Sequence, residues 1–106
     1  MKLSVYDRLI LLNVLPAEGN ITTLRIIRDL SKELGFSDKE YQKLSIRQEG
    51  GTVQWDTTVE SDKDIEIGVT GSALLLDVLQ KMSDGETLSL SQLDIYERLE
   101  AANIET

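Results

Sequence analysis

The stretch Leu34-Gly35-Phe36-Ser37-Asp38-Lys39-Glu40-Tyr41 constrains the fold of this chain more than any other. Gly35 suits the left-handed position that ends a helix, while the Ser37 hydroxyl and the Glu40 carboxylate have the spacing of a capping box that opens the next one. Phe36 and Tyr41 bracket the box as a hydrophobic staple. Two helices that meet across so short a turn must cross at a large angle and share Phe36 as a core peg, which makes a helix-turn-helix-like corner.

The elements on either side follow from the same local rules. Ser4 and Asp7 are placed to cap a first helix whose stripe Val5, Leu9, Ile10, Leu12 and Val14 stops before Pro16, because proline disfavours helical geometry in Leu15. A polar loop then leads to Asn20 or Thr22 as cap of a second helix, with Leu24, Ile26, Ile27, Leu30 and Leu34 at helical spacing. The third helix runs from Asp38 to about Leu44. Gly50-Gly51 between Ile46–Glu49 and Thr52–Trp55 predicts a tight hairpin, since both glycines accept the positive φ such turns need. Its register sets Arg47 opposite Gln54 on a wet face, and Gln48 opposite Val53 with Ile46 opposite Trp55 on a covered one.

A third strand is expected over Asp64–Val69, where acids alternate with Ile65, Ile67 and Val69, and Thr70 or Ser72 then caps a helix from Ser72 to Met82. The last helix, Ser91 to about Ala102, carries a box at Ser91 and Asp94 and a staple at Leu90 and Ile95, with residues 103–106 frayed. Residues 1–106 thus read as one α+β domain: an N-terminal helix-turn-helix-like three-helix cluster, a small antiparallel sheet made of the hairpin with or without a third strand, and two C-terminal helices. The expected core is Leu9, Leu12, Leu24, Ile27, Leu30, Phe36, Tyr41, Trp55, Ile65, Ile67, Val78 and Leu79.

Composition narrows the function. With no His and no Cys among 106 residues, the common zinc ligands, the usual neutral-pH proton shuttle and the strongest side-chain nucleophile are all missing. The chain reads as a non-enzyme without a cofactor. Its net charge of -8 repels phosphate backbones and anionic lipids, so the expected partner is another protein with a basic surface, with nucleic acid disfavoured and no membrane involved. No uninterrupted apolar run reaches the roughly 18 residues of a membrane span, and the N-terminal apolar run is broken by Asp7 and Arg8, which points to a cytoplasmic protein without a signal peptide.

The charge is unevenly spread. Met1–Gln48 holds eight basic against six acidic residues, net +2, whereas Glu49–Thr106 holds three against thirteen, net -10. Glu60, Asp62, Asp64 and Glu66 are therefore the candidate protein contact. The same acids do not spell a calcium loop: from Asp62, the glycine position of an EF-hand falls on Ile67 and the bidentate glutamate on Ala73. Gly68–Ser72 lacks the motifs that cradle phosphates, and a small α+β domain leaves little room for a cleft between paired catalytic carboxylates.

The order helix, helix, tight turn, helix, hairpin is also that of winged-helix domains. On that alternative Lys39, Lys43 and Arg47 are the candidate nucleic-acid contacts. A further alternative is an acidic DNA mimic that presents its carboxylates to a DNA-binding protein.

The run Arg8-Leu9-Ile10-Leu11-Leu12-Asn13-Val14-Leu15-Pro16, with Thr23–Leu30, Glu49-Gly50 and Ile65-Glu66-Ile67-Gly68, resembles a set of small proteins of phage, prophage and environmental sequence. The resemblance spans most of the chain and brings no catalytic or binding residues with it. It implies a viral or mobile-element context, in which short acidic proteins act by occupying a host or virion protein surface.

Overall fold

Ser4 opens the first helix as its hydroxyl predicts, the Asp7 amide donating to Ser4 Oγ at 3.1 Å, and the structure adds the reciprocal bond, with the Ser4 amide donating to Asp7 Oδ2 at 3.0 Å. In the computed structural model, which describes residues 1–58 and 62–104, this helix α1 spans Val5–Val14 and ends where Leu15 turns extended before Pro16. Asn20 caps α2 (Ile21–Leu34) by accepting from the Thr23 amide at 2.8 Å, which leaves Thr22 inside the helix. The Ser37–Glu40 box then starts α3 (Asp38–Leu44), and the Phe36 and Tyr41 rings meet edge to face at 6.1 Å.

Gly35 does not take the left-handed position. Its φ of -67° and ψ of 168° are extended, and a Cβ there would stand 2.9 Å from the Ser31 carbonyl oxygen, so the glycine answers a close approach of backbone. The left-handed cap falls one helix later, on Ser45 at φ 51°.

The hairpin β2 (Arg47–Glu49) and β3 (Thr52–Gln54) forms in the predicted register, with Gly50 and Gly51 both at positive φ. All six strand residues are exposed, so neither side is covered as alternation suggested. The third strand does not join the hairpin. β4 is only Lys63–Asp64 and pairs antiparallel with β1, Lys2–Leu3, an N-terminal strand too short for any periodic signal. The fold is thus α+β, with two separate two-stranded sheets among the described residues.

Extended structure gives way at Gly68, φ 77°, where α4 (Gly68–Asp84) begins four residues before the expected start. Thr70 and Ser72 lie within it rather than capping it, and Val69 is exposed helix, not strand. The buried stripe of α4 is Gly71, Leu75 and Leu79, whose first member has no side chain to register as apolar. A Cβ on Gly71 would stand 2.8 Å from Leu30 Cδ2, so this glycine lets α2 and α4 pack closely.

The last helix, α5 (Leu90–Ile104), starts on Ser89 rather than Ser91. Ser89 Oγ accepts from the Gln92 amide at 3.2 Å and Gln92 Oε1 accepts from the Ser89 amide at 2.8 Å, while Leu90 is 85% exposed and staples nothing. The helix also continues through Asn103 and Ile104 instead of fraying after Ala102, and the expectation for 105–106 falls outside the described residues. Ser89→Ala is expected to lower stability by about 1 kcal/mol and Ser91→Ala by less than about 0.5 kcal/mol, read from urea unfolding; equal losses would reject this cap.

Leu3, Leu11, Leu30, Leu34, Ile65, Leu75, Leu79, Ile95 and Leu99 form the core where the α4–α5 pair packs on α1 and α2. Of the expected core, Leu30, Ile65 and Leu79 are fully buried, and Leu12 and Ile67 pack against them half-buried. Leu24 and Tyr41 are instead exposed, at 40% and 47%. Leu9, Ile27, Phe36, Trp55 and Val78 are half-buried.

Candidate protein-contact surface

The helix-turn-helix-like corner is held by a residue that reads in sequence as an interruption. Arg8 is fully buried; its Nε donates to the Leu34 carbonyl at 3.0 Å, its Nη2 to the Gly35 carbonyl, and its Nη1 to Glu40 Oε2 at 2.5 Å. The guanidinium carbon lies 4.0 Å over the Phe36 ring. One side chain of α1 therefore satisfies the carbonyl end of α2, where the helix dipole favours a cation, and pins α3 through its first-turn acid. Hydrogen bonding from Arg8, helped by the Ser37 amide and by Lys63 at 3.7 Å and opposed by burial, holds the Glu40 carboxyl at about 2 instead of 4.5.

Lys39 and Lys43 are exposed one turn apart on α3. Arg47 is half engaged: it pairs with Glu49 at 2.9 Å and donates to the Ser45 carbonyl at 3.1 Å. A second basic stripe, Arg25, Arg28 and Lys32, lies exposed on α2. Its spacing of three and four residues is legible in the sequence once helical periodicity is applied to charge as well as to apolar positions.

On the acidic side, Asp62, Asp64 and Glu66 are all exposed, while Glu60 lies outside the described residues. Asp64 is 2.8 Å from the Met1 α-amino group, and this hydrogen-bonded ion pair pulls its carboxyl below the ordinary range. Among the described residues no three carboxylates converge as a metal site would require, and no helix is long and apolar enough to cross a membrane.

The acid that stands apart is Glu66. Glu66-Ile67-Gly68 forms a ridge between two shallow open grooves of about 260 and 310 Å³. The first is walled by Met1, Leu99 and Ala102. The second has Ile26 and Leu30 of α2 on its floor and Asp29 and Glu33 of the same helix on its rim. Asp29 and Glu33 belong to the net-basic half of the sequence, and only folding brings them beside Glu66. A third groove of about 230 Å³, lined by Leu9, Phe36, Tyr41, Ile46 and Val53, opens between α3 and the hairpin with Arg47 at its edge.

Compared with protein-family models, with curated proteins and with solved structures, the chain matches none of them.

Proposed function

We propose that this protein is a non-enzymatic protein-binding or assembly module that meets a basic partner through the acidic surface centred on Glu66. One observation carries the reading: Glu66, at the end of a segment in which Asp62 and Asp64 are also exposed, stands between two open grooves lined largely by apolar side chains. Apolar centres with polar rims are the usual anatomy of protein interfaces, and an excess of one charge steers the opposite one to dock. The net of -10 in the C-terminal half supplies that excess.

The test compares wild type with the triple variant Asp62→Asn, Asp64→Asn, Glu66→Gln as immobilised bait. Partners of the wild type are expected to elute as salt rises, and the variant to lose them at low salt already. Equal retention of the same partners by both proteins at low and high salt would reject this surface. A second reading, a winged-helix-like nucleic-acid-binding regulator, is favoured by Lys39 and Lys43, which stand exposed and without an ion-pair partner among the described residues. Flow-through on heparin is the result expected of the acidic module; salt-reversible retention that depends on those lysines would favour the second reading.

A further inference from the structure

We infer that the groove between α2 and the Glu66–Gly68 ridge seats a cationic amphipathic helix of the partner protein. The inference rests on the protein-binding reading and adds the place and the chemistry of the docked segment.

Three observations converge on this occupant. The groove follows α2 from Ile26 to Glu33, a run of about two turns or roughly 10 Å, which is the length over which a helix laid alongside presents anchors at i, i+3, i+4 and i+7. Its floor is apolar, with Ile26, Leu30 and Ile67, and it is lowered at Gly71, where α2 and α4 pack too closely for a side chain.

The third observation is charge. The rim carries Asp29, Glu33 and Glu66, and the lining includes no Lys or Arg. Asp29 has only a loose contact with Arg28, 3.8 Å apart with both side chains largely exposed, so a partner cation can replace it at little cost. The other grooves lack this complement: the one beside Met1 has Glu66 as its single carboxylate, the one beside the hairpin has Arg47 and no carboxylate, and the one beside Gly35 sets Lys32 and Lys63 against Glu40.

The experiment uses the isotope-labelled full chain and two synthetic helical peptides of about 18 residues. Both carry Leu at i, i+3, i+4 and i+7; one is flanked by Lys and the other by Glu. The Lys peptide is expected to shift the amide signals of Ile26–Glu33 and Glu66–Gly71, with the shifts fading as salt rises, and the Glu peptide to leave them unmoved. The variant Asp29→Lys, Glu33→Lys, Glu66→Lys changes only exposed side chains, which a wild-type circular dichroism spectrum would verify, and is expected to bind the Lys peptide about tenfold more weakly.

Failure to bind the Lys peptide, equal binding of the Glu peptide, or shifts confined to α3 and the hairpin would each overturn the proposal. Shifts confined to Asp62–Asp64 would overturn the groove but keep the acidic protein-binding surface, whose own failure shows separately in the bait comparison.

Discussion

Arg8→Ala is expected to lower the unfolding free energy by about 3–5 kcal/mol, a large part of what holds a domain of this size folded. Arg8 is fully buried and its guanidinium faces two backbone carbonyls, a carboxylate and an aromatic ring. Removing it leaves the carbonyls of Leu34 and Gly35 without that donor and the Glu40 carboxylate without its main counter-charge, and each unsatisfied group carries its own desolvation cost.

Glu40→Gln should cost less. Arg8 keeps both carbonyls, and the neutral amide can still accept one hydrogen bond. The double variant should show the two losses to be non-additive, because both act on one network. Urea unfolding measures all three, and a loss below about 1 kcal/mol for Arg8→Ala would mean that the corner stands without this side chain.

Acid is expected to undo the same corner. The Glu40 carboxyl has an ordinary value of 4.5 and sits at about 2 in the folded chain, held down first by its hydrogen bonds from Arg8. A carboxyl depressed by folding contributes stability that is complete above its unfolded value and is lost as pH falls through its folded one. The window for Glu40 therefore runs from about pH 5 down to about pH 2, and the loss across it amounts to about 2–3 kcal/mol.

Asp7 adds to the loss in the same direction. Burial works to raise its carboxyl, but hydrogen bonds from Arg98, at 2.7 and 3.1 Å, and from Ser4 outweigh burial and leave it lowered. Unfolding curves at pH 7, 5 and 3 should show nearly equal midpoints at pH 7 and 5 and a fall by pH 3 in the wild type, with a shallower fall in Glu40→Gln. Parallel falls in both would show that Glu40 does not carry the acid sensitivity.

The elements most legible in the sequence are those whose hydrogen bonds close within a few residues. The Ser37–Glu40 box, the Ser4 cap and the Gly50-Gly51 hairpin form where their spacing places them, and Asn20 is one of the two caps that spacing offers α2. Elements stay hidden in the sequence where two local patterns compete or where a partner lies far along the chain. Ser89 and Ser91 each precede a polar residue at capping distance, and Ser89 is the cap that lets α5 bury Ile95 and Leu99. Gly71 carries no hydropathy, so the first buried position of α4 leaves no apolar signal, and β1 and β4 are too short to show a period.

The candidate surface divides in the same way. Asp62, Asp64 and Glu66 stand out in sequence because they alternate along one segment, whereas Asp29 and Glu33 look like ordinary exposed acids of a mixed-charge helix until α2 and the ridge after β4 come together.

The N-terminal three helices, the hairpin and the acidic excess of the C-terminal half are written in the order of residues, because caps, turns and charge counts are properties of chain neighbours. The burial of Arg8, the pairing of the N-terminal strand with β4, and the apolar groove with an acidic rim beside Glu66 emerge only in the folded chain. Each of these depends on groups from distant segments meeting where water is excluded, and there the balance of desolvation against pairing is set by the assembled neighbours and not by the residue type.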